Sequence, residues 1–149
     1  MSERRAVPAV CLALAVAIWF IYGQTRHHEF VNFDDNEYVY ENDQIRRGLS
    51  LDNVVIAFSS IQVHNWHPLT TLSNMADVEF YGLAPGGHHL TSVLLHAATA
   101  ILLFLLLRTM TGALWPSAFA AALFAVHPLR VESVAWIAER KDLLSGACF

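Results

Sequence analysis

Apolar residues in this chain gather in long unbroken runs rather than alternating or following a helical stripe. Residues 7–22 are sixteen consecutive uncharged, mostly apolar positions, and residues 90–107 and 113–126 form two more such runs. The charge-free stretches that contain them, 6–25, 82–107 and 109–129, hold 20, 26 and 21 residues. A bilayer core about 30 Å thick takes roughly 20 apolar residues as helix. The pattern therefore predicts an all-α multi-pass membrane protein with three complete transmembrane helices, at about 7–23, 90–107 and 113–127. Residues 143–149 read as the start of a fourth, so the chain reads as the N-terminal part of something larger.

Between the first two spans lies a long loop, 24–89, expected to be partly helical. Ser50 with Asp52 marks one helix start, since a serine side chain caps free amides and an acid favours the helix dipole. His67-Pro68 marks a second, proline suiting the first turn, with a stop at Gly82. Residues 129–142 are too polar to span and read as one interfacial helix. Arg4, Arg5 and Arg108 put the N-terminus and the turn after the second span on the cytoplasmic side, which makes the loop extracytoplasmic. A cleaved signal peptide is the competing reading of the first run. Against it, no small-residue cleavage site follows Tyr22, and Trp19 and Tyr22 suit an interfacial anchor.

Composition sharpens this picture. Of the 149 residues, 55% are hydrophobic and 15% charged, with a mean hydropathy of +0.40. Soluble domains average about 25% charged residues, so an ordinary soluble enzyme domain and a disordered chain are both excluded. A net charge of -4 with scattered Lys and Arg offers no footprint for nucleic acid. Cys11 and Cys148 are too few for a disulfide framework.

Nine of the 13 acids fall between Glu29 and Glu79. Among them Asp34 and Asp35, in FVNFDDNEYVYEND, are adjacent carboxylates just beyond a span. Such a pair suits general-base work or divalent-metal binding, because neighbouring like charges separate their pKa values. The alternative is a solvated acidic turn. An EF-hand is excluded, since the Gly at position six and the Glu at position twelve are missing. His64 and His67, in HNWHPL, are a weak metal pair, and His67 before a proline suits a cap or an anion contact at a helix start. In HPLRVESVAWIAERKD a helix places Glu132, Trp136 and Glu139 on one face and Arg130 and Lys141 on the other, as snorkelling cations. His96 inside the second span is a polar contact or a functional group.

Taken together, FVNFDDNEYVYEND, NWHPLTTLSNMADVEFYGLAPGGHHL and FAVHPLRVESVAWIAERKDLLSG resemble the N-terminal region of bacterial relatives of the transmembrane and tetratricopeptide-repeat O-mannosyltransferases. These are membrane glycosyltransferases of the GT-C class. The resemblance implies transfer of a sugar from a polyprenyl-phosphate carrier to a protein or lipid hydroxyl on the extracytoplasmic side of the bacterial inner membrane, with inversion. It implies Asp34 as catalytic base with Asp35 as its acidic partner, and His67, Glu132, Arg140 and Asp142 near the donor and its phosphate. Any divalent cation (Mg or Mn) would sit on Asp34 and Asp35. The reading from another class is a non-catalytic membrane anchor that binds partners through its loop.

Overall fold

Every regular element in the computed structural model, which describes residues 3–61 and 65–148, is helical. Helix α1 runs Glu3–Tyr22 and tightens into a 3-10 turn, Gly23–His27. The loop carries a π turn at Asn36–Tyr40 and the helices α2 (Asp43–Arg46), α3 (Leu51–Ser59) and α4 (Pro68–Tyr81). Then come α5 (Pro85–Thr111), α6 (Leu114–Val126), α7 (Arg130–Ala135), a 3-10 turn at Ile137–Glu139, and α8 (Arg140–Cys148).

Two helical stretches, Arg5–His27 and Pro85–Thr111, are long and apolar enough to cross a membrane. Only 28% and 33% of their apolar windows are buried. A soluble core helix would hide most of that surface, whereas here Leu12, Val16 and Phe20 of α1 and Leu94, Leu102 and Leu106 of α5 point outward. The third expected span is a correction. Helix α6 has 13 residues, about 20 Å at 1.5 Å per residue, well short of a bilayer core. The fourth expected span is represented by α8, which already begins at Arg140; Phe149, its last expected residue, lies outside the described residues.

Ile18, Tyr22, Val93, Ala100, Phe104, Ala121, Ala125, Val134 and Leu143 form the main core, where α1, α5, α6, α7 and α8 meet. Small residues on α6 let the helices approach closely, and within lipid the gain comes mainly from dispersion. A smaller core of Val39, Ile45, Met75 and Ile137 sits under the loop. Here apolar area leaves water, at about 25 cal/mol per Å².

The loop helices start where their caps dictate. Ser50 Oγ accepts the Asn53 amide at 3.1 Å, and Pro68 occupies the first turn of α4. Gly82, with φ 62°, ends α4. Helix α5 starts five residues before the apolar run, because Gly86 and Gly87 let its first turn press on the loop. A Cβ at Gly86 would strike the Arg26 carbonyl, and one at Gly87 the Tyr81 ring.

Candidate functional site

The loop is tied to the segment after α6 by one side chain. Asp35 is fully buried; its Oδ2 accepts the Val31 amide at 2.8 Å and its Oδ1 the Ala138 amide at 2.9 Å. This explains why residues 129–142 do not form one helix. The Ala138 N–H is turned toward Asp35 and is lost to any helical carbonyl. The chain extends at Trp136 (φ -107°, ψ 118°), and α8 starts afresh at Arg140. Burial raises the Asp35 pKa above the ordinary carboxylate value; the two amides oppose that, the Asp34 charge adds to it, and Arg140 opposes it.

Asp34, one residue earlier, is half-buried. Among the described residues no hydrogen bond or ion pair engages its carboxylate; only its backbone carbonyl is used, by the Tyr38 amide at 3.0 Å. The adjacent acids therefore differ in kind: Asp35 is a buried tie and Asp34 an available carboxylate. A metal shared between them does not fit, because both Asp35 oxygens are buried against amides. No group of three or more His, Cys, Asp or Glu among the described residues is arranged to hold a metal.

Arg140 is fully buried. Its guanidinium meets Asp77 Oδ2 at 2.5 Å and donates to the His88 carbonyl at 2.7 Å and to Ser73 Oγ at 3.3 Å. Asp77 also accepts from Thr91 Oγ1 at 2.6 Å, and His88 Nδ1 lies 3.5 Å away. Burial lowers the Arg140 pKa, and Asp77 pulls it back up. A guanidinium held this way joins α4, α5 and α8 and has no open face for a phosphate. The motifs pointed to Arg140 but not to Ser73, Asp77, His88 or Thr91. Ser73 and Asp77, four apart on α4, share a helix face. That spacing was the available signal.

Glu132 and Asp142 line the same cleft. Both are exposed, and with Arg130, Ser133 and Glu139 they line a cleft of about 600 Å³. Ser133 Oγ lies 3.5 Å from Asp142 Oδ2, and Glu139 pairs with Lys141 at 2.7 Å. Arg130 faces this cleft beside Glu132 and Glu139, so the two faces expected of a single helix are merged. A second, mostly apolar groove of about 690 Å³ runs between α5 and α8 and shares Phe124, Arg130 and Asp142 with the first. His67 stands apart. It is half-buried at the start of α4, makes no capping hydrogen bond, and lines a different groove of about 560 Å³ with Trp66, Lys141 and Leu144. His64 lies outside the described residues.

His96 is buried in the second span. Its Nε2 donates to the Ala125 carbonyl at 2.9 Å, and Nδ1 has no hydrogen-bond partner among the described residues. It also lines the apolar groove.

Sequence comparison gives the site its context. The chain is 33% identical to Protein O-mannosyl-transferase Tmtc1 of Drosophila melanogaster, over 95% of its own length and 17% of that protein's. It is 31% identical to Tmtc2 of the same organism, over 93% of the chain and 16% of the relative. For TMTC1 of Mus musculus the figures are 31%, 96% and 16%. The chain thus spans about a sixth of the length of these curated relatives. No family model matches it, and no solved structure does. Over most of its length, then, this chain is related at about 30% identity to the Tmtc protein O-mannosyltransferases.

Proposed function

We propose that this chain is part of a membrane glycosyltransferase that moves a sugar from a polyprenyl-phosphate carrier to an acceptor hydroxyl, with Asp34 as the base. The N-terminus is cytoplasmic, and the loop between α1 and α5 faces the extracytoplasmic side, the periplasm in a bacterial cell. The observation that carries the reading is the division of labour in the acidic pair. Asp35 is buried on two amides and holds the loop against Ala138, while Asp34 beside it is half-buried with an unengaged carboxylate.

In this reaction the acceptor hydroxyl gives its proton to Asp34 as its oxygen attacks the anomeric carbon. The bond from that carbon to the phosphate oxygen breaks, the phosphate leaves with the electron pair, and attack from the opposite face inverts the centre. A positioned carboxylate base contributes about 10²- to 10⁴-fold. The transition state carries oxocarbenium character, which nearby carboxylates stabilise. Glu132 and Asp142, open to the cleft, are the carboxylates for that role.

Transfer of labelled mannose from a polyprenyl-phosphate donor, followed in membranes that contain the protein, tests this. Asp34→Asn is expected to lower the rate by about 100-fold or more at unchanged membrane level. Asp52→Asn, at an exposed acid on α3, serves as control and keeps the wild-type rate. A wild-type rate in Asp34→Asn removes the base from this mechanism.

A further inference from the structure

Helix α3, in the loop, is inside out for a helix in water. Its polar Asn53 is buried and donates to the Gly48 carbonyl at 2.8 Å, with Ala57 buried one turn further on. Leu51, Val55 and Phe58 are instead 86%, 64% and 50% exposed. Spacings of four and seven put these three on one face. Each residue advances a helix by about 100°, so the exposed Asp52 and Ser59 fall to the side of that face. Protein packs against one side of α3, an acid and a serine occupy a second, and an uncovered apolar face forms the third.

The level of α3 in the fold identifies what that face meets. Helix α8 runs down α5: Arg140 at its start donates to the His88 carbonyl, and a Cβ on Gly146 would lie 3.4 Å from the Thr99 methyl. Thr99 is nine residues past Leu90, where the apolar run begins. That is about 14 Å down a helix long enough to cross the membrane. Phe58, Trp66 and Leu69 line one groove with Leu144 and Cys148, the α8 residues on either side of Gly146. The end of α3 therefore stands beside the part of α8 that lies at bilayer level. Trp66 Nε1 donates to the Phe58 carbonyl at 3.0 Å, which fixes an exposed indole there. An apolar ring with a single donor suits the membrane–water boundary. Arg46 and Arg47, exposed a few residues before α3, are cations of the kind that flank an apolar face on lipid phosphates.

We propose that α3 rests in the membrane surface, with Leu51, Val55 and Phe58 among the lipid chains of the leaflet nearest the loop and Asp52 and Ser59 toward water. The partner is the bilayer itself, which a helix end held beside α8 at that depth meets directly. The proposal needs α1 and α5 to cross the membrane and does not depend on sugar transfer, so a wild-type rate in Asp34→Asn leaves it standing.

Spin labels on single cysteines test this in the full chain, held in phosphatidylcholine nanodiscs with Cys11 and Cys148 replaced by alanine. Labels at Leu51→Cys and Val55→Cys are expected to collide more with oxygen, which concentrates in lipid, than with a water-soluble nickel chelate. The ratio should place them about 5–10 Å into the boundary between headgroups and chains. A label at Asp52→Cys is expected to shift toward the nickel chelate. Both apolar positions are exposed, so the labels displace no buried contact, and unchanged thermal unfolding checks that the fold is kept. Preference for the chelate at Leu51 and Val55 would put the face in water and overturn the proposal. Shielding of both positions from both reagents would overturn it as well, giving the face to a second copy of the chain or to another protein segment.

Discussion

Two clusters of charge lie a few residues apart in sequence and behave in opposite ways. Around Arg140, a buried guanidinium and the Asp77 carboxylate are locked together with Ser73, Thr91 and the His88 carbonyl. Around Arg130, Glu132 and Asp142, the same residue types stand at the wall of an open cleft, and the arginine rests on an aromatic ring instead of an acid. The first cluster is shut away from solvent, although Arg140 Nε has no hydrogen-bond partner among the described residues; the second is open. Charge type and motif position do not separate the two. Burial and the presence of a partner do.

The sharpest way to break this contrast is to remove one member of the buried cluster. Arg140→Ala leaves the Asp77 carboxylate buried without its cation, a loss expected to cost about 3–5 kcal/mol, read as a large drop in thermal stability in detergent. Replacing both partners, Asp77→Leu with Arg140→Met, is expected to recover much of it, because an apolar pair leaves no orphaned charge. If Arg140→Ala unfolds like wild type, Arg140 is not a structural clamp and its assignment to a ligand reopens.

Asp35 gives an intermediate effect with a definite sign in pH. Its folded-state pKa is raised, mainly by burial. The folded protein therefore holds this proton more tightly than the unfolded chain, so the stabilisation is complete below the ordinary carboxylate value. It is lost as pH rises through the folded-state pKa. Stability against unfolding is expected to decline across that window in wild type and to decline less in Asp35→Asn. That variant also presents an amide donor to one of the two backbone amides, at a cost of about 1–3 kcal/mol. Identical pH slopes for the two proteins would show that Asp35 titrates normally.

The smallest expected stability effects belong to the open cleft. Glu132→Gln and Asp142→Asn are expected to shift unfolding by less than about 0.5 kcal/mol each, while both lower sugar transfer. A large loss of stability from either would place it with the buried cluster.

Much of the local structure was legible. The Ser50 cap, Pro68 in the first turn of α4, the stop at Gly82 and the two long apolar helices follow from capping chemistry and run length. The third span was over-read because the charge-free stretch of 21 residues also takes in the end of α5 and the turns on either side of α6, so only 13 of its residues belong to α6. Of the candidate site, residues 34 and 35 could be singled out as adjacent acids, but not the difference in their surroundings. That depends on a hydrogen bond from Ala138, 103 positions away.

The sequence by itself determined which segments are apolar enough for lipid, where the loop helices start and stop, and which ionisable residues exist outside the spans. These are properties of neighbouring residues and of run length. Only the tertiary structure decided that Arg140 is locked and Arg130 is open. The Asp77 that neutralises Arg140 is 63 residues away, and Phe124, on which Arg130 rests, belongs to a different helix. Whether a charge keeps its capacity for a ligand depends on what packing brings within a few ångströms of it, and a linear pattern does not encode that distance.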